Sequence, residues 1–176
     1  MRVIAGTLGG RNFDSPNSHR THPMSDKMRG ALFNSLGDIT GLTVMDAFAG
    51  TGALSFEAVS RGAASALAVE NDKAAFLTIA SNIKSLGVED RVELFMGNVG
   101  TWSNNHASQK FDLVLADPPY DKLNDGLIHR LIRNSQGVFV LSWPGKEYLP
   151  KMPGLVLVSK KTYGDAQLAF YKTTGK

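Results

Sequence analysis

The feature that most narrows the fold is a set of short buried-looking runs, residues 43–47, 66–69, 111–116 and 137–141, in which only Thr43, Asp46 and Asp112 are polar. A strand with one wet face would alternate polar and apolar side chains. Runs with apolar residues at consecutive positions belong to strands buried on both sides, as in a parallel sheet sandwiched between helices. Helix signals fill the gaps between them. Residues 53–61 end at Gly62, and 73–86 carry apolar residues at 76, 79, 80, 83 and 86 before Gly87, while 123–133 are amphipathic. Residues 91–96 alternate as a further strand, and 155–161 with 166–172 read as a hairpin turned at Tyr163-Gly164-Asp165. The pattern predicts an α/β fold of the doubly wound, Rossmann-like kind: a mostly parallel seven-stranded sheet, helices on both faces and an antiparallel C-terminal hairpin.

The N-terminal segment has a different character. Residues 2–13 read as a small strand pair bent at Gly9-Gly10, and Ser25 caps a predicted helix from Asp26 to about Leu36, with Met28, Leu32 and Leu36 on one side. Of 19 basic and 16 acidic residues in the chain, five and two lie within 1–35, so the remaining 14 of each cancel. The whole net charge of +3 thus sits in this segment, which suggests a polyanionic partner such as nucleic acid. The expected organisation is a basic extension over 1–36, suited to nucleic acid, packed on a main domain over 37–176. Lys27 and Arg29, placed against the helix dipole, invite a functional reason.

Several classes of function are excluded or disfavoured. Without cysteine the chain has no thiolate nucleophile, disulfide or cysteine-based metal site. No run approaches the ~20 apolar residues that span a bilayer, and the first residues lack a signal peptide's apolar core, so a cytoplasmic protein with no membrane partner is expected. His19, His106 and His129 show no metal-ligand spacing, and no metal is expected. Trp102 and Trp143 read as packing residues.

The turn after the first strand carries the chemistry. Asp46-Ala47-Phe48-Ala49-Gly50-Thr51-Gly52-Ala53-Leu54 places two glycines where backbone must approach a ligand. No Lys-Ser/Thr follows Gly52, so this is no P-loop. The acid in front of the glycines repels pyrophosphate and favours a cationic ligand. Glu70, 24 residues on, ends the second strand where an acid can accept from a ribose diol, and Asn98 follows the third strand where it can meet an adenine edge. Alone, Asp46 could be a helix cap and the other two loop residues; together they fit S-adenosylmethionine, which combines ribose, adenine and two cationic centres. The candidate cofactor contacts are Asp46, Phe48, Ala49, Gly50, Thr51, Gly52, Leu54, Glu70, Asn71, Asn98, Val99 and Asp117.

The fourth strand ends in Asp117-Pro118-Pro119-Tyr120. The prolines stiffen the loop and remove two donors, leaving carbonyls free to accept. The Asp117 carboxylate and Pro118 carbonyl are expected to grip both N–H bonds of an exocyclic amine, with Tyr120 stacked on a base turned out of its helix.

The blocks His22-Pro-Met-Ser-Asp-Lys-Met-Arg-Gly-Ala-Leu-Phe-Asn34, Met45 to Leu54 and Asp117 to Tyr120, with the Arg2-Val-Ile-Ala-Gly6 opening, resemble the bacterial 16S ribosomal RNA guanine-N2 methyltransferase family. The resemblance spans nearly the whole chain. It implies a class I methyltransferase that uses S-adenosylmethionine on a guanine N2 amine of 16S rRNA, within a small ribosomal subunit or an assembly intermediate. Arg2, Arg11, Arg20, His22, Lys27 and Arg29 are the expected RNA contacts. The catalytic and cofactor motifs alone would equally suit an amine methyltransferase of DNA, RNA adenine or protein glutamine, and a non-catalytic RNA-binding relative would keep the fold. The chain departs from the family at His22-Pro23-Met24, usually Arg-Pro-Thr, and at Gly30, usually Glu.

Overall fold

The computed structural model describes residues 1–17 and 23–174; Arg20 and His22 lie outside the described residues, as does His19. After the N-terminal segment come α1 (Asp26–Leu36), β1 (Thr43–Asp46), α2 (Ala53–Ser60), β2 (Ser65–Glu70), α3 (Lys73–Leu86) and β3 (Val92–Met96). Then follow α4 (Val99–Asn105), β4 (Phe111–Ala116), α5 (Asp125–Arg133), β5 (Ser135–Pro144), β6 (Leu155–Tyr163) and β7 (Ala166–Thr173). The strands form one sheet in the order β3-β2-β1-β4-β5-β7-β6. β1 to β5 are parallel, and β7 runs antiparallel to both β5 and β6. The expected fold class holds, including the antiparallel hairpin at one edge. No helix among the described residues is long and apolar enough to cross a membrane.

The apolar runs are explained by the two cores. Along each central strand successive residues enter opposite faces, as the two-residue period requires. Val44, Leu113, Leu115 and Val140 pack with α1, α2 and α3. Met45, Val114, Phe139 and Leu141 pack with Trp102 of α4 and with Ile128 and Leu131 of α5. Neither face meets water, so neither needs polar residues.

α4 was not evident in the sequence. Seven residues that include Gly100 and Thr101 have poor helix propensity. The helix forms because Asn98 caps its first turn and Trp102, 3% exposed, is buried.

The predicted strand pair over 2–13 reduces to a single antiparallel bridge, Arg2 with Asn12. This segment is held on α2 instead. Glu57, fully buried, accepts the Ile4 and Ala5 N–H at 2.9 and 3.1 Å, and Leu8 N–H donates to the Ser60 hydroxyl at 2.9 Å. Gly6, at φ 82°, sits so close that a Cβ would lie 1.9 Å from the Ser60 carbonyl oxygen. Val3, Phe13, Met28, Leu32 and Phe33 enter the same apolar cluster as Val44 and Phe56, so the N-terminal segment shares the sheet's core.

One expected RNA contact is corrected here. Arg29 is fully buried: Nη2 donates to the Arg2 carbonyl at 2.7 Å and pairs with Asp26 at 3.1 Å, while Nε lies 3.6 Å from Glu57. The buried guanidinium is committed to these internal partners rather than to RNA, so its placement against the helix dipole has a structural reason. Removing one partner of such a buried pair strands the other charge, at a cost of roughly 3–5 kcal/mol.

Gly30 has no comparable reason to be glycine. A Cβ there would stand 3.7 Å from Ile4 Cδ1, ordinary van der Waals contact. Gly30→Ala is expected to stabilise the protein by about 1 kcal/mol and raise the melting temperature by about 2–4 °C. A thermal melt showing a decrease would mean the helix needs glycine there.

Candidate active site

Parallel pairing brings the functional loops to one rim. In the β1–β4 register Asp46 stands opposite Leu115, two residues before Asp117, and Ala47 N–H donates to the Leu115 carbonyl at 3.0 Å. β2 flanks β1 on the other side, with Asp46 opposite Ala68, and so places Glu70 on the same rim. The side-by-side ends of strands one and four, on which the sequence reading depended, are therefore observed.

The loop after β1 is fastened to β2. Ala49 N–H donates to the Val69 carbonyl at 2.9 Å and Gly50 N–H to Glu70 Oε2 at 2.6 Å. Glu70 Oε1 accepts from Asn71 and Asp72 N–H at 3.0 and 2.9 Å. Three backbone donors thus fix this carboxylate, and of its roughly four acceptor positions about one remains for a ribose hydroxyl. Gly52 lies at φ 81°, where a Cβ would come within 2.9 Å of the Phe56 ring. The turn into α2 therefore accepts only glycine, on conformational and on steric grounds.

Asp46 is fully buried at the end of β1. Its Oδ2 accepts the Ser55 hydroxyl at 2.7 Å, and Oδ1 has no partner among the described residues. Burial pushes its pKa up to about 7; the Ser55 hydroxyl opposes this, and the charges of Asp117 and Glu70 add to it. An orphaned acceptor under a glycine loop calls for a cation or a donor. The ammonium group of S-adenosylmethionine is a group of that kind, which Asp46 could hold, with the remaining acceptor of Glu70 available to a ribose hydroxyl. Asn98 Oδ1 is already used, accepting from Gly100 and Thr101 N–H as the α4 cap. Its amide N–H₂ leaves donors to offer an adenine nitrogen.

On the facing strand, Asp117 is half-buried, and burial raises its pKa against the opposing Ser142 hydroxyl. Pro118 is buried and Pro119 exposed, and Lys122 N–H donates to the Pro119 carbonyl at 2.9 Å. No donor among the described residues takes the Pro118 carbonyl. Tyr120, 41% exposed, opens a 3-10 turn and meets Trp143 edge-on, with centroids 5.7 Å apart at 69°. Trp143 is a core residue that also braces this ring, and its Nε1 donates to the Tyr148 carbonyl at 3.0 Å. Behind Asp117, Met24, Leu32, Leu54, Val140, Ser142 and Leu168 close up around a crevice too tight to admit a water molecule. The N-terminal segment thus comes up to the surroundings of Asp117 through Met24, one of the positions where the chain departs from the family pattern.

Sequence reasoning missed Ser55, Ser142 and the contact of the packing residue Trp143 with Tyr120, because each meets its partner across strands or across a turn. Among the described residues no group of three or more His, Asp or Glu is placed to hold a metal. Of the remaining basic residues, Arg2 is exposed and paired with Asp26, Lys27 is exposed, and Arg11 donates to the Ser85 and Leu86 carbonyls at the end of α3.

Comparisons with known proteins agree with this geometry. A model of the family described as conserved hypothetical protein 95 matches residues 1–172. YlbH of Bacillus subtilis (strain 168) is 32% identical, over 99% of this chain and 100% of its own. Ribosomal RNA small subunit methyltransferase D of Escherichia coli (strain K12) is 33% identical over 75% of this chain and 65% of that protein, so the match spans about two thirds of that relative's length. The solved structure of yhhF from Escherichia coli superposes with a TM-score of 0.87 at 27% identity, covering 100% of this chain and 99% of that one. By its matching family model, its relatives and its fold, the chain belongs to the ribosomal RNA small subunit methyltransferase D family of class I, S-adenosylmethionine-dependent methyltransferases.

Proposed function

We propose that the protein methylates the exocyclic N2 amine of a guanine in 16S ribosomal RNA. One observation carries this reading: the Asp117 to Tyr120 loop stands beside the glycine-rich Asp46 to Leu54 loop at the ends of adjacent strands. The cofactor, when bound, supplies a methyl group on a sulfonium, a carbon electrophile with a neutral leaving group. The chain's own residues prepare the nucleophile. An aromatic amine delocalises its lone pair into the ring; the Asp117 carboxylate and Pro118 carbonyl accept both N–H bonds and favour the tetrahedral nitrogen that frees it. Preorganised acceptors cost no reorganisation at the moment of reaction. Asp117 also stands ready to take the proton the nitrogen sheds. Tyr120, braced by Trp143, offers a face on which an extruded base stacks.

The relative named ribosomal RNA small subunit methyltransferase D supports a small-subunit substrate, and exposed Arg2 and Lys27 support RNA contact. Because the N-terminal segment offers few exposed basic residues, binding to naked RNA should be weak and salt-sensitive, and turnover higher on an assembled subunit or assembly intermediate. Mass spectrometry of rRNA nucleosides from a deletion strain tests the reaction: N2-methylguanosine at one 16S site should vanish, and purified enzyme should restore it. Unchanged N2-methylguanosine, or loss of another methylated nucleoside, refutes the proposal. Equal turnover on protein-free transcript and on purified subunits refutes the preference for a particle.

A further inference from the structure

We infer that a cleft between α1 and the β6–β7 turn is a second RNA subsite, which takes the sugar-phosphate of a single-stranded nucleotide near the target base. This rests on the reading of the chain as an RNA methyltransferase. The cleft holds about 330 Å³, within the range of roughly 300–1,000 Å³ usual for small-molecule sites, and is lined by Ser25, Lys27, Met28, Thr162, Tyr163 and Gly164.

Its position follows from register. Ala166 pairs with Pro144 at the carboxyl end of β5, while Ala116 pairs with Leu141 on the same strand. The β6–β7 turn therefore lies on the Asp117 rim. Met24 lines the crevice behind Asp117 and the next residue, Ser25, lines the cleft, so consecutive residues connect the two.

The lining chemistry suits RNA rather than a protein. Lys27 supplies a cation, and exposed Lys160 and Lys161 precede Thr162 on β6, with Lys161 Nζ donating to Ser35 at 2.7 Å and tying the hairpin to α1. Asp26 does not cancel this charge, because Arg2 and Arg29 both pair with it at 3.1 Å. The turn carries one acid, the exposed Asp165. Thr162 and Tyr163 offer hydroxyls for a ribose 2′-OH, and phosphate is met by lysine, a division of labour common in single-strand recognition. The turn thereby joins a second basic element, remote in sequence, to the N-terminal one.

The test uses the full chain and a short fluorescein-labelled single-stranded RNA containing 4-thiouridine. Lys27→Glu should weaken binding about 10-fold and lower the salt slope by about one. Lys84→Glu makes the same charge change in the last turn of α3, at the opposite rim, and should cost less than about 3-fold. Thr162→Trp, which fills the cleft without altering charge, should weaken binding with unchanged S-adenosylmethionine affinity, and photocrosslinks should map to Tyr163 or its neighbours. Equal losses for the two lysine variants, or crosslinks confined elsewhere, overturn the subsite. If methyl transfer to small subunits persists in that case, only the subsite falls; if wild type neither binds RNA nor transfers methyl, the parent reading falls with it.

Discussion

Asp117→Ala should slow methyl transfer roughly 10³-fold, about 4 kcal/mol of transition-state stabilisation, with cofactor affinity changed less than about 10-fold. The side chain lies just past the end of β4, half-buried beside Ser142; in the proposed mechanism it accepts from the amine as the nitrogen becomes tetrahedral. Alanine removes that acceptor and leaves the Pro118 carbonyl to hold a single N–H. Asp117→Asn keeps an acceptor oxygen and should recover much of the loss. Because burial raises the Asp117 pKa, activity in the wild type should fall on the acid side as protonation removes the acceptor. Folding should not suffer in either variant, since an ionised carboxylate held in a low-dielectric site opposes stability. Single-turnover rates with purified small subunits decide the matter. A loss below 10-fold for Asp117→Ala would show that the loop does not grip the amine.

Asp46→Asn should weaken S-adenosylmethionine binding by 10-fold or more while making the apo-protein more stable above neutral pH. The folded-state pKa of Asp46 is about 7 against an ordinary value of 3.8, so the native state holds this proton more tightly than the unfolded chain. Stability is therefore fully present below about pH 4 and is lost as pH rises toward 7, by an amount on the order of 4 kcal/mol. Asparagine cannot ionise and still accepts from Ser55, so its stability curve should be flat over that window. The functional corollary has the opposite sign. A cationic ligand needs the ionised carboxylate, so wild-type affinity should rise with pH up to about 7, and binding at pH 6 should release a proton. Calorimetry in buffers of different ionisation enthalpy measures both. Affinity independent of pH, or unaltered in Asp46→Asn, would place the ammonium elsewhere.

Much of the site was legible because strand-end loops in a parallel sheet are continuous in sequence. Asp46, Gly50 and Gly52 fall in one turn, and Asp117 to Tyr120 in another, so their spacing carries the chemistry directly. α1 was equally legible, since Ser25 caps it locally at 3.1 Å and Gly37 follows its end. Arg29 was misread because its burial depends on Glu57, 28 residues away on α2. Asn98 looked like a free loop residue because the short helix it caps has little intrinsic propensity. The cleft beside α1 left no trace in sequence, as its two walls are more than 130 residues apart.

By itself the amino-acid order determined the α/β class, the edge hairpin and the residue types brought to the carboxyl rim, since each follows from local periodicity and turn chemistry. The tertiary structure alone decided which arginine faces solvent, which acid is left without a partner, and that the hairpin turn closes on α1. Those outcomes depend on desolvation and on contacts between distant segments, which exist only once the sheet has set its strands side by side.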